Sequence, residues 1–361
     1  MHKFGKLLAV ALLPALLAGC LRQEGIAPKG RDLPHIQRGL QNIQSEGGQK
    51  KVILIMADSL MYQAIDQGLR QNRLPAFRYL IEHGQYYKNM VSSFPTMSVT
   101  IDSTLVTGTY PDGHRVPGLV WYSVEQKRLV NYGTGAMEAL GQGMDAVLLD
   151  ALVHLNGSHL NPQIPTVYEE LAKIGRTSGS VNGLIYRGTA DHTLSIPAWV
   201  EAPSSLPRQI PVKGPDFLAF GALSNPLRGS SALPEGPADR MGFNNAYALE
   251  VAKRLVRDNR LPDFLYVYLP DQDRRLHRNG PPGTEGAVRL DGQLWSLLES
   301  FGSPEEALQR AVIIVVGDSG VAQLLPAGRE PVIELHRILR DFRLLPPDGR
   351  AADDTEIALA V

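Results

Sequence analysis

Three short apolar runs in this chain each lead into an aspartate. The first extends from Lys51 to Asp58, the second from Phe264 to Asp273, and the third from Ala311 to Asp318. None alternates as a half-exposed strand does, so each predicts a strand buried on both faces. Ligands of open α/β sheets bind beyond the carboxyl ends of the strands. The expected fold class is therefore α/β, a mostly parallel sheet flanked by helices, with these acids gathered at one edge.

Carboxylates crowded at one sheet edge predict a metal centre. Like charges that lie close together disfavour ionisation unless a cation sits between them. Asp271 precedes Asp273 by two residues and is an alternative carboxylate from the second run. The simpler interpretation of any single aspartate here is that it caps the following helix or turn. Three such acids together favour the metal centre.

The segment after the second run pairs an acid with an imidazole. Asp273 and His277 are four residues apart, so on a helical turn they face the same side, as two ligands of one metal must. Zinc accepts both ligand types. With a hydroxyl nucleophile nearby, these groups make a two-metal hydrolase plausible, in which the hydroxyl attacks first and water attacks the resulting ester.

A hydroxyl-rich stretch over residues 92–108 is the candidate source of that nucleophile. Pro95 can begin a helix and would place Thr96 and Ser98 in its first turn. A helix N-terminus holds anions and stabilises a nearby alkoxide. Serine and threonine also gather in turns and caps for ordinary reasons, and Thr100 is a further rival.

The N-terminus resembles an export signal. Basic residues 1–6 and an apolar run from Leu7 to Leu17 lead to Leu-Ala-Gly-Cys20, which is similar to a bacterial lipobox with a lipidated cysteine. Cys20 is the single cysteine, so no disulfide within the chain is expected. We expect residues 1–19 to be a signal peptide and residues 20–49 a tether. The alternative is an ordinary secretory signal with an incidental cysteine.

Composition and patterning set the remaining expectations. The chain has 361 residues, a formal net charge of −1 and 43% hydrophobic residues, which is ordinary for a globular protein. This composition implies no strongly basic face, so nucleic acid is not expected as a partner.

A catalytic domain is expected over residues 50–361, with an irregular insertion over about 186–245 near the active site. The final residues form an apolar run without a cap, which we interpret as truncation.

Together these residues resemble the alkaline phosphatase superfamily, and most closely its type I phosphodiesterase/nucleotide pyrophosphatase branch. The strand that ends at Asp58 matches the first metal-ligand aspartate of that family. Residues 94–98 and 104–108 match its nucleophile loop and helix, with Ser98 at the position of the nucleophilic threonine. Residues 110–114 resemble the Tyr-Pro-x-x-His-Gly signature that follows.

The second half of the resemblance rests on the metal ligands. Asp273 and His277 fit the Asp-x-x-x-His-x-x-Gly-Pro motif, and Asp318 fits the aspartate of Asp-His-Gly. Ser319 stands where that motif has histidine, and Ile101 stands where the family has a phosphate-contacting asparagine. The last histidine ligand of the family, in a Gly-x-His-Gly setting, has no counterpart before Val361.

The resemblance implies a hydrolase of phosphate esters, of the phosphodiester or nucleotide pyrophosphate type, that uses two divalent metal ions and a covalent phosphoserine. Zinc is the first expectation, with manganese or magnesium as alternatives. The implied metal ligands are Asp58, Ser98, Asp273, His277 and Asp318; Ser319 and Asp271 are candidates for a metal or supporting role. The implied partners are a small phosphate ester and, through Cys20, a membrane.

Two alternatives remain open. The same scaffold could act as a phosphomonoesterase, a sulfatase-like hydrolase or a phosphotransferase. It could instead be a surface lipoprotein that has lost catalysis, which Ser319 and the missing last histidine ligand favour. Asp102 is interpreted equally as a solvated helix residue or a base, and His114 as a residue that packs its turn. Five histidines have no ligand-like neighbour in the sequence: His83, His154, His159, His192 and His336.

Overall fold

The computed structural model describes residues 50–133, 143–197, 206–225, 242–325 and 333–345. All of them belong to one compact unit, residues 50–361. The predicted signal peptide, Cys20 and the tether lie outside the described residues, as does the apolar C-terminal run. No helix in the described ranges is both long and apolar enough to cross a bilayer.

Five parallel strands form the central sheet in the order β7-β4-β8-β1-β9. The strands of the structure are β1 (Lys51–Ala57), β2 (Val120–Ser123), β3 (Arg128–Asn131), β4 (Ser178–Val181), β5 (Ala190–Ser195), β6 (Gln209–Gly214), β7 (Phe217–Ala219), β8 (Phe264–Leu269) and β9 (Ala311–Val316). The three apolar runs of the sequence are thus β1, β8 and β9, and they lie side by side. This confirms the predicted α/β fold class, and it brings the three chain segments that follow these strands to one edge.

Helices cover both faces of this sheet. They are α1 (Tyr62–Arg70), α2 (Pro75–Glu82), α3 (Ser98–Thr107), α4 (Pro111–His114), α5 (Met144–Leu149), a π-helix (Asp150–His159), α6 (Val167–Lys173), α7 (Asn245–Arg257), α8 (Asp271–Asn279), α9 (Thr284–Glu299), α10 (Pro304–Arg310) and α11 (Leu335–Ile338). Alternate residues of β1 enter different hydrophobic clusters, because successive side chains of a strand point to opposite faces. Ile53 and Ile55 pack with α1, α2, α7 and α9, whereas Met56 packs with α3, the π-helix and α6.

The strand β9 differs from the prediction that all three runs are buried on both faces. It lies at one end of the described sheet, and Ile314 in its middle is 44% exposed. An end strand has a neighbour on one side only, so its apolar side chains are less completely covered.

The region predicted as an irregular insertion, about 186–245, contains regular structure in its described parts. β5 and β6 form an antiparallel hairpin, and β7 joins the central sheet beside β4. Buried side chains of this region, among them Leu194, Ile210 and Phe220, form a third hydrophobic cluster with Leu152. The description as irregular is therefore wrong for residues 190–195, 209–214 and 217–219.

Candidate active site at the carboxyl edge of the sheet

Asp58 follows β1 directly and lies at the centre of the candidate site. Its side chain is buried, and its backbone amide donates to the carbonyl of Leu269 at the end of β8 over 3.0 Å. The hydroxyl of Ser98 donates to Oδ1 of Asp58 over 3.2 Å, and the phenol of Tyr268 donates to Oδ2. The carboxylate is therefore held between the first residue of α3 and a side chain of β8.

Ser98 is the first residue of α3, so the helix begins three residues later than Pro95, where it was predicted to begin. Met97 is extended and is the N-cap residue. Thr96 thus lies outside the helix and is exposed, and Thr100 is buried. Of the three candidate nucleophiles, Ser98 is the one whose hydroxyl contacts Asp58. It also lies where the free amide groups of a helix N-terminus favour negative charge.

Ser59 joins the other two carboxylates to this centre. Its backbone amide donates to Oδ1 of Asp318 over 2.8 Å, and its hydroxyl donates to Oδ1 of Asp273 over 2.8 Å. Ser59 has φ +57°, a left-handed conformation that points its amide and its hydroxyl at two acids from different strands. The residues that follow β1, β8 and β9 therefore meet, as expected for the carboxyl edge of a parallel sheet.

The structure separates Asp273 from Asp271, the alternative acid of the second run. Asp271 pairs with Arg274 over 3.0 Å within α8. His277 Nε2 lies 3.3 Å from Oδ1 of Asp273, as the i,i+4 spacing predicts, and its side chain is 71% exposed. The imidazole thus stands at the solvent-facing rim of the site.

Ser319 and Ile101 are the two residues that depart from the pattern of the resembled family, and the structure shows what each one contacts or fills. The backbone amide of Ser319 donates to Oδ1 of Asp318 over 2.7 Å, so this residue helps to orient the aspartate. Ile101 is 5% exposed within α3. The position that the resemblance assigns to an asparagine amide is therefore filled by a buried hydrocarbon.

The electrostatics of the site favour a bound cation. Burial, the neighbouring Asp318 and, to a smaller extent, Asp273 and Asp102 raise the pKa of Asp58 to about 9, against the lowering effect of the Tyr268 hydrogen bond. Oδ2 of Asp318 is buried and has no hydrogen-bond partner among the described residues. The Asp58 carboxylate, which resists ionisation beside two other acids, and the orphaned oxygen of Asp318 lie with an imidazole and a hydroxyl. This ligand set fits the preferences of divalent zinc or manganese.

Sequence reasoning missed two tyrosines of β8 that support the acids. Tyr266 and Tyr268 are two residues apart and so point to the same face of the sheet. Tyr268 reaches Asp58, and Tyr266 donates to Oδ1 of Asp102 over 2.9 Å. Asp102 is buried, which excludes its interpretation as a solvated residue. Tyrosines at i and i+2 in an apolar strand were the available signal, since a buried phenol requires a polar partner.

Comparison with known proteins agrees with this arrangement. Residues 52–354 match the sequence model of the type I phosphodiesterase/nucleotide pyrophosphatase family. No curated protein sequence is significantly similar to the chain.

Two solved structures share the fold at low sequence identity. An inactive variant of murine ectonucleotide pyrophosphatase/phosphodiesterase 5 in complex with AMP is 15% identical, with a TM-score of 0.52 over 80% of this chain and 61% of that one. Phosphonoacetate hydrolase from Sinorhizobium meliloti 1021 in complex with phosphonoacetate is 17% identical, with a TM-score of 0.52 over 81% of this chain and 62% of that one. The chain thus spans about three fifths of the length of these structures. On the match over residues 52–354, the chain belongs to the type I phosphodiesterase/nucleotide pyrophosphatase family.

Proposed function

We propose that this protein is a metal-dependent hydrolase of phosphate esters, with phosphodiesters or nucleotide pyrophosphates as substrates and Ser98 as the nucleophile. One observation carries the proposal. The hydroxyl of Ser98, at the start of a helix, lies 3.2 Å from a carboxylate whose pKa is raised to about 9 by burial and by neighbouring acids. Family membership supports phosphate ester hydrolysis as the reaction class.

In this proposal the reaction proceeds in two displacements at phosphorus. The Ser98 oxygen attacks, a P–O bond of the ester breaks, and the alcohol departs with a proton. Water then attacks the phosphoserine, releases the phosphate product and restores the hydroxyl. When bound, divalent ions held by Asp58, Ser98 and Asp318 and by Asp273 and His277 would lower the pKa of the hydroxyl and neutralise charge on the phosphoryl group. The first amides of α3 face the same developing charge.

One tyrosine and one serine position the acids in this scheme. Tyr268 fixes one oxygen of Asp58 and leaves the other toward Ser98. Ser59 sets the distance between the Asp273 and Asp318 carboxylates by donating to both. These contacts hold the ligands in place before a cation or substrate arrives, which reduces the reorganisation that binding requires.

The test is hydrolysis of bis(4-nitrophenyl) phosphate by the full chain supplied with zinc or manganese. Ser98→Ala should lower turnover by at least ~10³-fold, as loss of a nucleophile does, whereas Ser98→Thr should retain activity because it keeps a hydroxyl at the same position. Thr96→Val and Thr100→Val are the matched controls, and both should leave turnover within about threefold. Turnover by Ser98→Ala equal to that of the wild type would remove Ser98 from the mechanism.

A second measurement tests the covalent step. The chain is quenched in acid during turnover, and its peptides are examined by mass spectrometry for a phosphate on Ser98. Rates on 4-nitrophenyl phosphate and 4-nitrophenyl sulfate separate a diesterase from the phosphomonoesterase and sulfatase-like alternatives. A monoester rate well above the diester rate would reassign the substrate class but retain the site.

A second candidate function is binding without hydrolysis. Ser319 and the buried Ile101 favour it, because they stand where the family pattern has a histidine and an asparagine. In that case the chain binds manganese and AMP in equilibrium dialysis but cleaves none of the three esters. Ester cleavage that depends on Ser98 excludes this candidate.

We also propose that the protein is exported and anchored by lipid at Cys20, on the N-terminal pattern described above. Expression in a bacterial host with labelled palmitate tests this directly. The full chain should incorporate label, and Cys20→Ala should not. Label retained by Cys20→Ala would place the lipid elsewhere or exclude a lipobox.

A further inference from the structure

The segment from Asp150 to His159 is a π-helix of ten residues, a conformation that is rare and is often found at functional sites. The winding determines which side chains meet. In an α-helix, at about 100° per residue, Asp150 and His159 would point in opposite directions. In a π-helix, with roughly 4.4 residues per turn, positions 150, 154 and 159 return to one face. The bond from the amide of Leu160 to the carbonyl of Leu155, over 2.9 Å, has the matching i to i+5 spacing.

We propose that Asp150, His154 and His159 form a second metal site, selective for a zinc-like divalent cation and separate from the carboxyl edge of the sheet. One ligand atom from each residue lies within 4.8 Å of the other two. Two imidazoles and one carboxylate are a ligand set that zinc binds readily, with a fourth position left for water. No residue of this set belongs to the proposed hydrolytic site.

His159 supplies an independent observation. The residue is 7% exposed, and its Nε2 is buried without a hydrogen-bond partner among the described residues. Its Nδ1 lies 2.9 Å from the hydroxyl oxygen of Tyr132, which also accepts from the indole of Trp121 over 3.2 Å. A histidine that binds a metal through one nitrogen usually donates its other N–H to an oxygen. Tyr132 fulfils that role here, and coordination would satisfy Nε2.

The carboxylate of Asp150 is oriented by hydrogen bonds that leave the lone pair facing His154 for a cation. Arg128 donates to both carboxylate oxygens over 2.7 Å, and the amide of Asn131 donates to Oδ2 over 3.3 Å. A carboxylate has about four lone-pair positions, and the fourth contact here is Nδ1 of His154, 2.8 Å from Oδ1. A divalent cation would take the place of the proton shared between Asp150 and His154, and the Arg128 pair would remain.

The position of the cluster indicates what the cation would do. The side chain of His154 is 40% exposed and gives access from solvent. Ala151 and Leu155, on the same π-helix, pack in one hydrophobic cluster with Val99 and Val106 of α3. A bound ion would link two turns of the π-helix and stiffen the support behind the helix that carries Ser98.

The experiment uses the full chain with Asp58→Asn and Asp318→Asn, which removes two carboxylates from the sheet edge and leaves the second site intact. Titration with Co²⁺ should give visible d–d absorption from one bound equivalent, and Zn²⁺ should displace it and raise the Tm. Adding His154→Ala or His159→Phe should weaken Co²⁺ binding at least tenfold. Tyr132→Phe should weaken it by about 10- to 100-fold, as loss of a supporting hydrogen bond does.

The control is His83→Ala, which removes a histidine whose Nδ1 contacts the Tyr79 carbonyl on α2 and should leave Co²⁺ binding unchanged. Two results overturn the proposal: no Co²⁺ bound by the background variant, or binding that survives both His154→Ala and His159→Phe. In either case the three residues and Arg128 form an ion-pair network without metal. Because the readout is binding in a variant that lacks two of the three sheet-edge acids, and because the loss on His154→Ala or His159→Phe assigns it to the π-helix, it does not depend on the proposed hydrolysis.

Discussion

The hydroxyl of Ser59 donates to Oδ1 of Asp273 over 2.8 Å, although the two residues are 214 positions apart in the chain. Ser59 immediately follows the central aspartate of the site, and it can reach Asp273 because its backbone is left-handed, with φ +57°. Most residues with a Cβ avoid this region. Ser59 therefore holds an unfavourable conformation, and in that conformation it bridges two acids that follow β8 and β9, the strands on either side of β1.

This bridge leads to a prediction about Ser59→Gly and Ser59→Ala. Both variants lose the hydrogen bond to Asp273, which contributes about 1 kcal/mol. Glycine also relieves the left-handed strain, so Ser59→Gly should be more stable than Ser59→Ala by about 1 kcal/mol. Urea denaturation with manganese present measures both. Equal stability of the two variants would show that the conformation at position 59 carries no cost.

The second prediction concerns metal removal and pH. The pKa of Asp58 is raised from 3.8 to about 9 in the folded chain, first by burial and then by Asp318. Between these values the folded state holds more protons than the unfolded state. The free energy of unfolding of the metal-free chain should therefore fall as pH rises from about 5 to 8, by up to about 1.4 kcal/mol per pH unit from this group.

Manganese should reverse this trend, because cations bind the deprotonated carboxylates. Urea denaturation at several pH values, with EDTA or with manganese, measures both slopes. Asp58→Asn is the matched control, since it keeps the shape of the side chain and removes its titration. A metal-free slope that is the same in wild type and Asp58→Asn would contradict the assignment.

The third prediction concerns Tyr266 and Asp102, whose hydrogen bond of 2.9 Å is buried between β8 and α3. Burial and the nearby Asp318 raise the pKa of Asp102 well above its usual range, so its carboxyl needs a partner rather than a counter-ion. Tyr266→Phe should cost about 1–3 kcal/mol, because it leaves a buried carboxyl unsatisfied.

The same tyrosine substitution in an Asp102→Leu background should cost much less, because neither partner is then left unpaired. The coupling energy from this double-mutant cycle, measured by urea denaturation, is expected to exceed about 1 kcal/mol. A coupling near zero would mean that the hydrogen bond contributes nothing to stability.

The fold and the principal acids could be predicted from sequence because they depend on local patterns. Apolar runs such as 311–316 identify strands, and a parallel sheet brings their carboxyl ends to one edge. The i,i+4 spacing of Asp273 and His277 is equally local. The hairpin β2–β3, in contrast, could not be predicted from such a pattern. Its turn contains no Asn-Gly or Asp-Gly pair, which would signal a hairpin. The left-handed position is taken by Lys127 instead, with φ +49°.

Contacts that depend on geometry beyond the usual periods could not be predicted. Asp150 and His154 have the same i,i+4 spacing as Asp273 and His277, so the interpretation that His154 has no ligand-like neighbour is wrong. His159 has no such spacing from Asp150, and it meets the other two residues because the segment winds as a π-helix. Ser59 reaches two acids because one residue is left-handed. Neither feature follows from residue propensities, since tertiary packing selects both.

The fourth prediction concerns His114, which is fully buried behind α3. Its Nδ1 accepts from the amide of Val116 over 3.1 Å, so the neutral ring donates from Nε2 to the hydroxyl of Thr104, also over 3.1 Å. Burial is the main cause that lowers the pKa of His114 from 6.5 to about 4. Between these values the unfolded state binds more protons than the folded state, so this residue should reduce stability as pH falls from about 6.5 to 4.

The variant His114→Gln isolates this effect, because glutamine can form hydrogen bonds but does not titrate. At pH 7 it should be less stable than wild type by about 1–3 kcal/mol, since packing and hydrogen bonds in the core are disturbed. Toward pH 4.5 the difference should shrink by about 2–2.5 kcal/mol, because the folded wild type keeps its imidazole neutral while the unfolded chain binds a proton there. Urea denaturation of both proteins at pH 7, 6, 5 and 4.5 gives the difference directly, and other titrating groups cancel in the comparison. A difference that stays constant over this range would show that the buried imidazole of His114 is not neutral in the folded protein.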